Sequence, residues 1–473
     1  MRGVYSIEQI RTAEAALMAT LPEGALMARA AHGLAVECAR LLGRVYGARV
    51  VLLIGAGNNG GDALYAGAEL ARRGARVTAV LLVPGKAHPG GLAALTRAGG
   101  RRASVSPGAL AGADLVVDGI VGIGGRGGLR DAAVGLGTAA REHLTVAVDI
   151  PSGVDADTGE AGGSAIDADV TVTFGALKPG LVLGAGVAHA GEVRLVDIGL
   201  DATLPPATTH VLEADDIAAL LPTPDSTSDK YTRGVVGLVA GSSAYPGAGV
   251  LATGSAISGG AGMVRYAGGA ADAVRAAYPE VVVQEGARPS ELRVQAWVTG
   301  PGMGTDETAR GLLADVLSTD VPVIVDADGI TLLGEHPDLL RRDAPTVVTP
   351  HDREFARIAD GPSADRLGSA RAAAAALGVV VLLKGDATIV AAPDGSAYVN
   401  PTGTPWLATA GSGDVLSGLI GSLLAAGVEP PLAAAAGAYV HGVAGQLAAA
   451  DGPPSSLDVL HAVRAALRTV RRG

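Results

Sequence analysis

Val50-Val51-Leu52-Leu53-Ile54-Gly55-Ala56-Gly57-Asn58-Asn59-Gly60-Gly61-Asp62 is a run of five apolar residues, a glycine-rich turn and the polar start of a helix-length segment. An apolar run without polar alternation has no wet face, so it reads as a strand buried on both sides, the kind found in parallel sheets. Similar runs follow at Arg76–Val83, Asp114–Val117, Thr145–Asp149 and Val170–Phe174, separated by helix-length stretches. Strand–helix alternation of this kind predicts an α/β fold. Pro205-Pro206 and the polar stretch Pro222–Asp229 then break the pattern. A second series begins at Val235–Ala240 and continues at Ala296–Thr299, Val321–Asp326, Thr346–Thr349 and Val379–Leu383, closing with Ala/Leu/Val helices from about Asp414. Two α/β domains are expected, 1–212 and 225–473, with a linker over 213–230.

Composition narrows the function classes. The chain has 473 residues, beyond one core at ~150 residues per domain. Hydrophobic residues make up 48% and charged residues 18%, which excludes disorder. The net charge is −11 and no Lys/Arg run exceeds two residues, so neither nucleic acid nor an anionic membrane is an expected partner. A single cysteine, Cys38, excludes an internal disulfide and a cysteine-based metal site. Glu8, Arg11 and Glu14 interrupt any leader-like apolar region, and the run Ala372–Leu383 is shorter than the ~18 residues a membrane span needs. A cytoplasmic homo-oligomer is expected.

Gly55, Gly57 and Gly60 match G-x-G-x-x-G, but no acid occurs between Glu69 and Asp114 to hold a ribose, so an ordinary dinucleotide dehydrogenase is excluded. Asn58-Asn59 and Asp62 could ligate a hard cation, or the turn simply needs Asn and Gly for left-handed backbone. Asp118, leading into Gly122–Gly128 around Arg126, and Asp149-Ile150-Pro151-Ser152 each put an acid at a strand end. Three such loops argue for one phosphate or dinucleotide crevice. These blocks, with Asp149–Gly159, resemble the YjeF N-terminal family of NAD(P)H-hydrate epimerases, over most of residues 1–210. The resemblance implies a Rossmann-like three-layer sandwich. It implies that Asn58, Asn59, Gly60, Gly61, Asp62, Gly122, Ile123, Gly124, Gly125, Arg126, Gly127, Gly128 and Asp149 bind the hydrated cofactor. Asn59, Asp118 and Ser152 would hold K⁺, and Asp149 is the acid–base candidate. Ala63 stands where the family usually has glycine. The same fold also serves non-catalytic scaffolds.

The strongest chemistry lies further on. Only four lysines occur, Lys86, Lys178, Lys230 and Lys384, and Lys384 follows a buried strand. A lysine beside glycine at a strand end suits a phosphate contact. Thr409-Ala410-Gly411-Ser412-Gly413-Asp414 leads into an apolar helix, so its N–H groups form an anion hole and Asp414 can take a proton from an attacking hydroxyl. No P-loop motif is present. With Gly300–Gly304, Asp326–Ile330 and Thr349–Phe355, this pattern resembles the ribokinase-like superfamily, and within it the NAD(P)H-hydrate dehydratases, over roughly 225–470. That implies a second three-layer sandwich in which Ala256, Gly302, His351 and Asp414 contact substrate. Lys384, Gly385, Asp386, Ala387, Thr388 and Gly413 would contact ADP or ATP, with Mg²⁺ at the phosphates; Glu354 could orient magnesium waters or be an ordinary helix-surface glutamate. Asp352-Arg353 and Ala410 depart from the usual pattern. The two resemblances together imply repair of NADHX and NADPHX. A ribokinase-like kinase for small alcohols with a non-catalytic N-terminal module is the alternative.

Overall fold

The computed structural model describes residues 1–125 and 127–472. The chain forms two compact units, Gly3–Ala207 and the stretch from Thr208 onward, which also takes in Met1–Arg2.

In the first unit, seven strands lie in the order Arg101–Ala103, Arg76–Leu81, Arg49–Ile54, Leu115–Gly119, Thr145–Val148, Val170–Phe174, Glu192–Val196. Every pairing is parallel. Val50, Leu52 and Ile54 enter one hydrophobic core with helices Ala25–Leu42 and Asn58–Arg72, while Val51 and Leu53 enter another with Asp131–Ala140. Alternate residues of one strand thus face opposite cores, which is why the run carries no polar residue.

In the second unit the sheet runs Thr209–Val211, Ala397–Asn400, Thr388–Ala391, Val380–Leu383, Thr346–Val348, Val323–Val325, Ala296–Thr299, Val235–Val239, Met263–Tyr266, Val282–Val283. Pairing is antiparallel only within Val380–Leu383, Thr388–Ala391 and Ala397–Asn400. The main core joins the sheet to helices Pro246–Ser258, Ser412–Ala425, Pro430–Ala448 and Ser456–Arg472. Gly418 lets two of these helices touch: a Cβ there would lie 2.1 Å from the Ala252 carbonyl oxygen.

The expected linker begins too early. Thr209–Val211 joins the second sheet, and Ala214–Leu220 is a helix with a capping box between Glu213 and Asp216. Only Ile217 of that helix is buried, so its seven residues show almost no period to read. The polar stretch that follows is built of turns, with the Asp225 and Asp229 carboxylates accepting local backbone N–H groups.

Candidate active sites

In the first unit the polar loops converge at one end of the sheet. Arg49–Ile54 lies between Arg76–Leu81 and Leu115–Gly119, so successive connections leave it in opposite directions and open a crevice at its C-terminal end. A cavity of about 1850 Å³ fills that crevice, and Asn58, Asn59, Asp62 and Asp149 line it together with Gly122–Gly125, Gly127 and Gly128. Gly57, at φ 89°, caps helix Asn58–Arg72, and no side chain takes the first N–H groups. That end can therefore hold an anion.

Gly60 and Gly61, expected to touch ligand, line no part of the cavity. A Cβ at 60 would lie 2.9 Å from the Gly55 carbonyl and one at 61 would lie 3.0 Å from the His88 ring, so both serve close packing. The Ala63 methyl faces Gly119 on the strand, where an added Cβ would meet it at 2.7 Å, and it is wholly buried. Arg126 lies outside the described residues.

Asp118 and Ser152 come together as expected. Asp118 accepts the Ser152 N–H at 2.8 Å, its Oγ–H at 2.7 Å, and the Ile120 N–H at 3.2 Å. Burial, only partly offset by these bonds, pushes Asp118 up to about 6. The Asn59 Oδ1 sits beside Gly122, where an added Cβ would be 2.8 Å away, and its buried Nδ2 has no partner among the described residues. The buried Asp118 carboxylate, with no cationic partner among the described residues, the Ser152 hydroxyl and the Asn59 Oδ1 are hard oxygen donors that fit a hard monovalent cation, whereas the Asn59 Nδ2 is an N–H donor that only an acceptor would satisfy.

Asp149 has φ 68°, a strained value for a non-glycine residue. Its Oδ1 accepts Thr173 Oγ1–H at 3.1 Å, Phe174 N–H at 3.3 Å and Lys178 Nζ at 2.5 Å. Lys178 also donates to Thr173 Oγ1 at 2.8 Å and the Phe174 carbonyl at 2.9 Å, and its side chain is 2% exposed. Sequence reasoning missed it, although the scarcity of lysine pointed its way.

In the second unit, Asp326 at the end of Val323–Val325 anchors a polar cluster. Lys384 Nζ lies 2.9 Å from Asp326 Oδ1 and 3.6 Å from Glu354 Oε2, and Ser417 Oγ donates to Asp326 Oδ2 at 2.8 Å. Burial alone would raise Asp326, but Lys384 and these bonds outweigh it and hold it below the usual carboxylate range. Burial would likewise lower Lys384, yet Asp326 and Glu354 hold it up. Glu354 is no surface residue: it is 7% exposed and its carboxylate accepts the His351 N–H at 2.9 Å.

Gly411, at φ 89°, starts helix Ser412–Ala425 without a side-chain cap. The N–H groups of Gly413 and Asp414 meet no acceptor among the described residues. A Cβ at Gly413 would sit 3.4 Å from Lys384 Nζ, so the anion hole and the ammonium adjoin. Asp414 is pushed up to about 7 by burial first and then by Asp326, with Lys384 opposing and Asp328 and Glu354 adding to it. A carboxyl so tuned suits proton abstraction near neutral pH.

The remaining sites divide. Asp328 Oδ2 accepts the Gly304 N–H at 2.9 Å, fastening the loop that holds Gly302, and Gly302 lies against Ala248 and Tyr245. Ala256, expected to touch substrate, is instead wholly buried in the hydrophobic core. Ala248, in the first turn of helix Pro246–Ser258, meets Gly302, and residue 256 lies near the other end. His351 Nδ1 accepts the N–H groups of Arg353 and Glu354, so the imidazole caps helix Asp352–Ile358. Gly385, Asp386 and Ala387 join the strands Val380–Leu383 and Thr388–Ala391, Ala387 buried and Thr388 opening the second strand. Arg366 braces this turn by donating to the Lys384 carbonyl at 2.9 Å, a contact no sequence signal announced.

Residues 236–465 match the NAD(P)H-hydrate dehydratase family, and residues 23–180 match the YjeF-related protein N-terminus. The chain is 52% identical to the bifunctional NAD(P)H-hydrate repair enzyme Nnr of Mycobacterium leprae, over 97% of this chain and 96% of the relative. It is 54% identical to the protein of the same name from Mycobacterium tuberculosis, over 92% of each. Among solved structures, an ADP/ATP-dependent NAD(P)H-hydrate dehydratase from Bacillus subtilis, co-crystallised with ATP/Mg²⁺, is 28% identical with a TM-score of 0.50. The match covers 55% of this chain and 98% of that one. A ribokinase-like superfamily protein from Enterococcus faecalis is 25% identical, also at TM-score 0.50, over 57% and 99%.

Fold and sites together define an enzyme that joins an α/β crevice unit to a ribokinase-like unit. The chain belongs to the bifunctional NAD(P)H-hydrate repair enzymes.

Proposed function

We propose that the first unit exchanges the R and S epimers of hydrated NADH and NADPH. The second unit then dehydrates the S epimer to the dihydronicotinamide, using ADP or ATP as phosphoryl donor. The observation that carries this reading is Asp414, tuned to about 7, standing beside Lys384 and an uncapped helix N-terminus. It is supported by the names of the full-length relatives.

The substrate hydroxyl loses its proton to Asp414 as its oxygen attacks the terminal phosphorus. The Gly413 and Asp414 amides and Lys384 stabilise the negative charge on the transferring group. Phosphate then leaves the ester with the C–O bonding pair, and the neighbouring ring carbon gives up a proton to the departing phosphate or to water, restoring the C=C bond. No group of three His, Cys, Asp or Glu side chains that could hold a metal ion forms among the described residues. Mg²⁺ would be bound mainly by the nucleotide phosphates and water and would neutralise phosphate charge, and Glu354 and Asp326, both beside Lys384, are the carboxylates that would hold its waters. K⁺ fits Asn59, Asp118 and Ser152, where it would balance the buried Asp118 and shape the neighbouring turn.

Two outcomes follow. A base must be ionised to act, so kcat/KM for dehydration should rise about tenfold per pH unit up to near pH 7 and then level; a flat profile from pH 5.5 to 8 would contradict Asp414 as the base. Asp118→Ala should raise the K⁺ concentration needed for half-maximal epimer exchange and leave dehydration unchanged, which K⁺ titrations of both activities would measure.

Incubation of the S epimer with each nucleotide tests the reading as a whole. Dihydronicotinamide absorbance should return with equimolar free phosphate. A stable phosphorylated product would instead identify a small-molecule kinase.

A further inference from the structure

Water added to a dihydronicotinamide places its hydroxyl on the carbon next to the ring nitrogen, because an enamine takes its proton at the far carbon. Inverting that centre by the simplest route expels the hydroxyl with help from the nitrogen lone pair and adds water to the opposite face. One group must give a proton to the departing oxygen, and another must take one from the entering water. Glu14, Glu23, Asp62, Glu69 and Asp149 all line the first unit's cavity, and Asp62 and Asp149 differ in their surroundings. Asp149 receives three donors on Oδ1, one of them Lys178, while its Oδ2 receives none among the described residues. Asp62, on helix Asn58–Arg72, accepts no hydrogen bond and forms no ion pair with any described residue.

We propose that Asp62 is the second proton-transfer residue of epimerisation, acting from the same cavity as Asp149. This rests on the epimerase reading above. Burial first, then the charges of Asp149 and Glu14, hold Asp62 well above the usual carboxylate range. Glu14 is itself raised by burial and by Asp149, against Lys178 and Arg11. His88 packs on the neighbouring Gly61. Such surroundings favour the protonated form, the one that can donate, as in other enzymes whose two acids have divergent environments.

In the forward step the C–O bond breaks, its electron pair stays on oxygen, and that oxygen takes the Asp62 proton and leaves as water. The ring nitrogen lone pair forms the C=N bond of an iminium ion. A new water adds to the opposite face, its oxygen forms the C–O bond, and its proton passes to Asp149 Oδ2. One water leaves and one enters. The proton gained by Asp149 returns to Asp62 through solvent, and the reverse epimerisation runs with the roles exchanged.

The full chain carrying Asp62→Asn tests this with mixed epimers in ¹⁸O-labelled water. Wild type should exchange epimers and acquire one ¹⁸O per inversion. The variant should lose both together by about 10²–10⁴-fold, in kcat rather than KM, and keep wild-type dehydration of the S epimer. Its thermal midpoint should be unchanged or raised, because an isosteric amide replaces a buried acid that lacks donors. Retention of more than about a tenth of wild-type kcat, a change in KM alone, a lowered midpoint accompanying the loss, or inversion without ¹⁸O uptake would each overturn the proposal. Failure of wild type to exchange epimers would overturn the epimerase reading instead.

Discussion

Asp414→Asn lowers dehydration of the S epimer by about 10²–10⁴-fold and leaves epimer exchange at the wild-type rate; this is the largest effect on activity expected in the second unit. An amide keeps the shape of the carboxyl but cannot accept the hydroxyl proton. The fold should tolerate it, since the substitution removes a buried acid that Asp326, Asp328 and Glu354 already disfavour. Gly413 and Lys384 remain to hold nucleotide, so KM for ADP or ATP should change little. Initial rates with pure S epimer measure the effect, and retention of more than about a tenth of wild-type turnover would remove Asp414 from the role.

Lys178→Met carries the largest expected effect on stability. Lys178 and Asp149 are both buried, with side chains 2% and 13% exposed. Removing one partner of a buried pair leaves the other charge uncompensated and costs about 3–5 kcal/mol. That corresponds to a fall of roughly 10 °C in the midpoint of a domain this size. Met keeps the aliphatic stem, so the loss belongs to the ammonium and its three bonds. Lys178→Met combined with Asp149→Asn should be less damaging than Lys178→Met alone, because the second change neutralises the stranded acid. Calorimetry of the three proteins would show this. Additive losses in the double variant would contradict a coupled pair.

The strands that carry chemistry were legible because each is buried on both faces and is followed by glycine, an acid or, after Val380–Leu383, a lysine. Val50–Ile54 and Ala296–Thr299 needed nothing more than their run of apolar residues. Ala397–Asn400 and Thr388–Ala391 were not read, because their pairing is an antiparallel hairpin at the side of a parallel sheet, where short strands carry weak patterns. Helix Ala214–Leu220 escaped for lack of buried positions. Asp118, Ser152, Asp149, Lys384 and Asp414 were visible as acids, hydroxyls and lysine at strand or helix ends. Ala256 was not: position along a helix decides whether a side chain meets a loop or the core, and a helix packed this tightly shows no polar face to tell them apart. Lys178 and Arg366 act across 29 and 18 residues of chain, on Asp149 and on the Lys384 carbonyl, and such pairings exist only in the folded sheet.

Mixed R and S epimers of hydrated NADH, supplied to the intact chain with nucleotide in excess, test the central claim most directly, since two chemistries on one chain must empty both pools. Dihydronicotinamide absorbance should return to the value for complete conversion, faster than uncatalysed epimer exchange allows, with one phosphate released per molecule repaired. Recovery that stops at the S fraction, with the R epimer drained only at its uncatalysed rate, would contradict the account.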